Sequence, residues 1–151
     1  MASEMMRNGN FSNKTLTDWA KKPADFTEKY EKYEVGYSLL LMPSQQISQT
    51  LGAVGTGELR FKFDVKSYSP DVIVVLVLIL MAADGGISAS PMPVFASPEW
   101  TKYDVGIYPE QDYASAILTV TCGIGSGIKT DRPADKEVEE GPVRVGNFSL
   151  T

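Results

Sequence analysis

The sequence predicts an all-β protein with the architecture of an antiparallel β-sandwich, and three observations support this. Segments that alternate in polarity with period two, or that are apolar throughout, recur along the chain. Turn-rich stretches such as "GAVGTG" (52–57) separate them. Helical periodicity is almost absent, and no Cys…Trp…Cys spacing suggests an immunoglobulin domain. A jelly roll is therefore the expected form of the sandwich.

The length and composition predict a single domain over 1–151. The chain has 151 residues, of which 43% are hydrophobic and 22% charged, so it can bury a substantial core and is not expected to be disordered.

The early strands are predicted at "GYSLLLM" (36–42), "ISQTL" (47–51) and "ELRFKFDVKSY" (58–68). The third alternates between an apolar set, Leu59, Phe61, Phe63 and Val65, and a polar set, Arg60, Lys62, Asp64 and Lys66. This pattern is typical of a half-buried strand with one face in water.

An apolar run of 12 residues extends from Val72 to Ala83. A helix needs about 20 such residues to cross a bilayer, and six of the first eight residues are β-branched, so the run is predicted to be a long strand. One face of it, Val72, Val74, Leu76, Leu78 and Leu80, would fill the core. The other face, Ile73, Val75, Val77, Ile79 and Met81, is equally apolar and needs cover from a second subunit, from a loop or the 16–34 segment, or from a hydrophobic ligand.

The rest of the chain predicts a long loop with three prolines (83–99) and strands at 100–108, 113–121 and 143–151. A glycine-rich and then charged surface loop is expected at 123–142. Pro23 suits the first turn of a helix, and charged residues follow it, so one short helix is expected within 16–34.

The composition argues against several classes of function. There is no histidine, and the single cysteine, Cys122, lies in an apolar pattern that predicts a buried, inert thiol. The net charge of −5 argues against a nucleic-acid partner, and no nucleotide-binding or metal-spacing motif is present. We therefore expect no enzymatic activity and no membrane span. Because the chain starts without a signal peptide, a cytoplasmic location is expected, with non-classical export as the alternative.

Several motifs, in order, resemble the galactose-binding-like jelly-roll domains, and in particular bacterial carbohydrate-binding modules. They are "NGNFSNKTLTDW" (8–19), "GYSLLL", "ISQTL", "LRFKFDVKS", "SPEWTKYDVGI" and "VRVGNFSL". The resemblance covers nearly the whole chain and implies a non-catalytic domain that binds a glycan or polysaccharide.

Many members of this family hold a structural calcium through acidic residues in the first and last of these motifs. The matching positions here are Ser12, Gly146 and Asn147, which lack carboxylates. We therefore predict that this calcium site is lost and that the protein needs no cofactor.

Within the resemblance, the candidate ligand-binding residues are polar residues of one strand and tyrosines at strand ends. Arg60, Lys62 and Asp64 offer donors and acceptors in a row, as sugar hydroxyls require, although a merely solvated strand face would look the same. The tyrosines are Tyr68, Tyr108 and Tyr113. Trp19 and Trp100 occupy motif positions that predict structural packing. The alternative function is a homo-oligomeric structural or interaction module, such as an adhesin, phage or toxin component, that uses the outward face of 72–81.

Overall fold

A computed structural model describes residues 4–123 and 141–151 of the chain, and in these residues all regular structure is β. The strands are β1 (Ala20–Lys22), β2 (Tyr30–Tyr33), β3 (Gly36–Leu41), β4 (Gln46–Leu51), β5 (Leu59–Ser67), β6 (Val72–Met81), β7 (Ile87–Ala96), β8 (Thr101–Ile107), β9 (Ser115–Cys122) and β10 (Val143–Leu150).

The strands form two antiparallel sheets of five, in the orders β1-β4-β9-β6-β7 and β2-β3-β10-β5-β8. Consecutive strands alternate between the sheets in most of the chain, and the apolar faces of both sheets enclose the core. The predicted β-sandwich of jelly-roll type is confirmed.

The strand β5 alternates as its sequence predicts. Phe61, Phe63 and Val65 are at most 1% exposed, whereas Lys62 points to solvent on the opposite side. The strand lies between β10 and β8, which places its polar residues near the middle of one outer surface.

The apolar run is the long strand β6. Its predicted inner residues, Val72 to Leu80 in steps of two, are at most 2% exposed. On the outer side, Ile73 is buried, and the other four residues of that set are half-buried. The described part of the chain contains no helix long and apolar enough to cross a membrane.

The prediction of a short helix within 16–34 is wrong. That segment contributes β1 and β2 instead, with Ala20 opposite Ser48 and Tyr30 opposite Leu39. Isolated helices of fewer than about 12 residues are marginal in water, and here the sheet edges offer backbone partners that a helix would forgo. Since β1 is the far edge of the sheet from β6, and β2 belongs to the other sheet, this segment does not cover the outer side of β6.

The prediction of a long loop at 83–99 is also wrong, because β7 occupies most of that segment. Pro91 and Pro93 lie opposite Val77 and Val75 of β6. Proline is tolerated here because β7 is an edge strand. A proline N, which has no hydrogen to donate, therefore costs no hydrogen bond to a strand on the other side of β7. Most of the loop expected at 123–142 lies outside the described residues.

The lone cysteine is buried, as predicted. The Cys122 side chain is fully enclosed, and its thiol lies 3.2 Å from the carbonyl oxygen of Gly141. Burial raises the pKa of this thiol to about 12, so it stays protonated and unreactive at neutral pH.

Candidate functional site

The outer side of the sheet β2-β3-β10-β5-β8 carries most of the polar residues singled out from the sequence, and we call it the polar face. At the centre of this face, residues that lie opposite each other on neighbouring strands form three rows across the sheet. Arg144 lies opposite Lys66 in the first row. Asp64 lies between Gly146 and Lys102 in the second, and Lys62 lies between Ser149 and Asp104 in the third.

Asp64, in the second row, is a buried carboxylate with three polar partners. Its Oδ2 accepts hydrogen bonds from the Tyr33 hydroxyl at 2.7 Å, from Lys102 Nζ at 2.9 Å and from Asn147 Nδ2 at 3.0 Å. The residue is only 5% exposed. Asp64 therefore fixes the positions of these three side chains by accepting a hydrogen bond from each.

The turn between β2 and β3 lies across this second row, although β2 is the sheet edge farthest from β8. Glu34 accepts hydrogen bonds from Lys102 at 2.7 Å and from Asn147 at 2.9 Å. The Tyr33 ring stacks on Trp100 with a centroid distance of 3.9 Å. Lys102 holds the pKa of Glu34 below its usual range, and Glu34 in turn raises the pKa of Lys102. The turn thus divides the polar face into two halves.

One half contains two adjoining clefts. The first, of about 330 Å³, is lined by third-row residues together with Asp64, Lys102, Tyr103 and Asn147. The second, of about 550 Å³, continues past Asn147 and Ser149 to the N-terminal segment at Asn8 and Ser12. Lys62 is exposed in the first cleft, and no ion pair is recorded for it among the described residues.

Arg60 and Tyr108 lie at the end of this half. Arg60 forms an ion pair with Asp104 at 2.6 Å, and this contact lowers the pKa of Asp104 and raises that of Arg60. The Tyr108 hydroxyl donates to Glu58 at 2.8 Å, and the side chain is 67% exposed. Both residues are therefore on the polar face but already have polar partners.

The other half contains Tyr68, which is 48% exposed and accepts a hydrogen bond from Arg144 Nε at 2.6 Å. Tyr113, by contrast, is 7% exposed and forms an isolated bridge with Val54 beside β9. The structure thus brings five of the six candidate residues onto one face, and Tyr113 lies away from it.

The two tryptophans differ in environment. Trp19 is 8% exposed, packs against Phe148 with a centroid distance of 5.2 Å, and donates its indole N–H to the carbonyl oxygen of Asn8. Trp100 is half-buried and stacks on Tyr33 outside the core cluster.

Sequence reasoning missed several residues of the polar face. Lys102 and Asp104 carried a usable signal, since "TKYDV" alternates with period two on β8. Arg144 carried the same signal, since it lies between two apolar residues in "VRV". Tyr33 and Glu34 carried none, because only the folded chain brings the β2–β3 turn onto this face.

Of the positions matched to the family calcium site, Asn147 binds protein groups. Asn147 donates to two carboxylates, and the nearby Glu4 accepts from the Ser149 hydroxyl and from the backbone N–H groups of Leu150 and Met6. In the described residues, no group of three or more His, Cys, Asp or Glu side chains is arranged to hold a metal ion. The loss of the calcium site and the absence of a cofactor stay predictions.

Comparison of the sequence with protein-family models and with curated proteins gives no match. Solved structures, however, share its fold. The structure "Family 16 Carbohydrate Binding Module-2" superposes with a TM-score of 0.68 and 11% identity, over 97% of this chain and 99% of that one. A family 61 carbohydrate-binding module in complex with beta-1,4-galactotriose gives a TM-score of 0.60 and 16% identity, over 99% of both chains.

A third similar structure is the enzymatically active domain of tailspike protein 4 from bacteriophage CBA120, with a TM-score of 0.67 and 9% identity. The match covers 97% of this chain but 21% of the tailspike chain, so the present chain spans about a fifth of that length. The superpositions establish a shared fold, and at identities this low they establish nothing beyond it. The resemblance to jelly-roll carbohydrate-binding modules is confirmed at that level.

Proposed function

We propose that the protein is a non-catalytic carbohydrate-binding module that binds a glycan or polysaccharide on its polar face. The observation that carries this proposal is the cleft around Lys62, Asp104 and Ser149, which presents donors and acceptors side by side on a rigid sheet. Sugar hydroxyls need such mixed partners. The fold is shared with modules of this class, one of which was solved with a galactotriose.

Lys62 is the residue whose removal tests the proposal most directly, because it is exposed in the cleft and extends from a strand. We expect Lys62→Ala to weaken polysaccharide binding about tenfold, since it removes a charged hydrogen-bond donor without leaving a buried group unpaired. The measurement is affinity electrophoresis against galactan, xylan and mixed-linked glucan, followed by calorimetry with oligosaccharides of the best ligand.

Thr119→Ala is the matched control, because Thr119 lies on β9 with its side chain on the outside of the opposite sheet. Its binding should equal that of the unmodified protein. Absence of binding across the whole polysaccharide panel would contradict the proposed function. Release of reducing ends from any of these polymers would contradict its non-catalytic character.

The second candidate function is a homo-oligomeric structural module, of the kind found in adhesins, phage particles or toxins. The outside of the sheet containing β6 favours it, because half-buried Val75, Val77 and Ile79 lie there beside exposed Phe95 and Ile87. Contiguous apolar surface of this kind often marks an interaction site.

A further inference from the structure

The first row of the polar face places two cations directly opposite each other. Arg144 on β10 pairs in register with Lys66 on β5. Like charges at directly opposite positions of an antiparallel pair are destabilising. The Arg144 side chain is also only 10% exposed, so water screens its charge weakly.

The partners of the Arg144 guanidinium among the described residues leave part of its hydrogen-bonding capacity unused. Its Nε donates to the Tyr68 hydroxyl at 2.6 Å and lies 3.4 Å from Glu31, whose side chain is 60% exposed. Its Nη1 has only long contacts of 3.5 Å, to the carbonyl and hydroxyl oxygens of Ser38. No hydrogen bond joins Nη2 to another residue within 4–123 and 141–151.

Tyr68 supplies a second available donor. Its oxygen accepts the hydrogen bond from Arg144, and its own hydrogen has no acceptor among the residues that the structure describes. The side chain is 48% exposed, and Lys66 Nζ lies 5.6 Å from the centre of the tyrosine ring. Arg144, Tyr68 and Lys66 therefore present three donors, two of them charged, within one small region.

The polar face is balanced in charge, although the whole chain carries a net charge of −5. Its cations are Arg60, Lys62, Lys66, Lys102 and Arg144, and the carboxylates beside them are Glu31, Glu34, Glu58, Asp64 and Asp104. Carboxylates pair with Arg60, Lys102 and Arg144, and none is recorded against Lys66 in the described residues.

We propose that Arg144, Lys66 and Tyr68 form a subsite for an oxyanion, so that the ligand of the polar face is an acidic glycan bearing carboxylate or sulfate groups. This inference rests on the proposed glycan-binding function and adds the substrate class. An oxyanion between the two cations would offset their mutual repulsion, and the arginine fork and the tyrosine hydroxyl would fix its position.

The subsite is separate from the cleft around Lys62. Lys62 and Lys66 are four residues apart on one strand, which corresponds to roughly 13 Å, and the Tyr33 side chain reaches Asp64 between them. A ligand that contacts both must therefore extend over more than one sugar ring.

The experiment compares polygalacturonate with its fully methyl-esterified form, and dextran sulfate with dextran, by calorimetry on the full chain at low and moderate salt. We expect the acidic member of at least one pair to bind about tenfold or more tightly, and added salt to weaken that advantage. The pair that shows the advantage distinguishes carboxylate from sulfate.

Variants then locate the effect. Lys66→Gln and Tyr68→Phe should each reduce the acidic-over-neutral preference several-fold, while Glu31→Gln should increase it, because the Glu31 carboxylate lies 3.4 Å from Arg144 and competes with an added oxyanion. Lys22→Gln is the matched control, since it removes one exposed positive charge from β1 in the opposite sheet. That variant should keep the full preference.

Three results would overturn the inference. One is equal binding of the acidic and neutral members of both pairs, which would leave the proposed glycan binding intact. Another is a loss of preference in Lys22→Gln as large as in Lys66→Gln. The third is equally tight binding of duplex DNA, which would indicate general polyanion attraction. Absence of binding to every polysaccharide, acidic or neutral, would instead refute the proposed function itself.

Discussion

At the scale of single residues, burial decides which polar groups of the polar face are available to a ligand. Asp64, Lys62 and Arg60 form one polar set in the sequence, but their environments differ. Asp64 is buried under Tyr33 and Lys102, Arg60 is paired with Asp104, and Lys62 is exposed. The period-two pattern predicts which side of the strand a residue lies on, but not which partners reach it from other strands.

Two tyrosines on β2 provide a matched test of this distinction. The hydroxyls of Tyr33 and Tyr30 each donate to a carboxylate at 2.7 Å, but Asp64 is buried, whereas the side chain of Glu28 is 28% exposed. We expect Tyr33→Phe to lower the free energy of unfolding by about 2 kcal/mol, because a buried acceptor loses one of its partners.

The control variant, Tyr30→Phe, should cost about 1 kcal/mol or less, since water can replace the hydroxyl at Glu28. Both values come from urea denaturation followed by tryptophan fluorescence. Equal costs for the two variants would show that Asp64 is hydrated or that the Tyr33 contact contributes little.

At the scale of elements, the two incorrect predictions have a common cause. The 16–34 segment and the 83–99 segment both form edge strands, where local sequence preference is weak and pairing to a neighbour decides the outcome. The strand β5 was predictable because its apolar residues repeat at the period of a strand, and β6 because its uninterrupted apolar run is rich in β-branched residues.

The N-terminal segment is also fixed by pairing, and Gly9 tests how tightly it is held. The Phe148 N–H donates to the Gly9 carbonyl oxygen at 3.0 Å, and a Cβ added at Gly9 would clash with the backbone oxygen of Phe148. We expect Gly9→Ala to lower the free energy of unfolding by about 1–3 kcal/mol, because the clash is with backbone that cannot rotate away.

Gly52→Ala is the control for this substitution, because nothing lies within 4 Å of a Cβ added there. It should be neutral or slightly stabilising, since it reduces the entropy of the unfolded chain. A thermal unfolding curve for each variant makes the comparison. An unchanged Tm for Gly9→Ala would mean that the segment moves away from β10 at little cost.

At the scale of the whole molecule, the two outer surfaces suggest different roles. The polar face is rich in charge and hydrogen-bonding groups, whereas the outside of the sheet containing β6 is largely apolar along β6 and β7. Nothing in the described residues shows what covers this apolar surface, so the homo-oligomer stays a proposal.

The oligomer proposal predicts a self-association that one substitution disrupts. We expect the unmodified protein to sediment as an oligomer and Val77→Lys to sediment as a folded monomer, because a charge at a half-buried outward position would be desolvated in an interface. Lys62→Glu on the polar face should leave the sedimentation coefficient unchanged. A monomeric unmodified protein would end this proposal.

The sequence by itself determined the all-β class, the length and two-sided character of β6, the polar side of β5 and the burial of Cys122, because each depends on periodicity or apolar content within a single segment. Only the tertiary structure decided the site. The cluster around Asp64 joins residues from β2, β5, β8 and β10, and the Arg144–Lys66–Tyr68 group joins the closing strand to β5 and the turn after it. Contacts between residues 31 to 83 positions apart depend on how the strands are ordered in the sheet, and no local pattern in the sequence encodes that order.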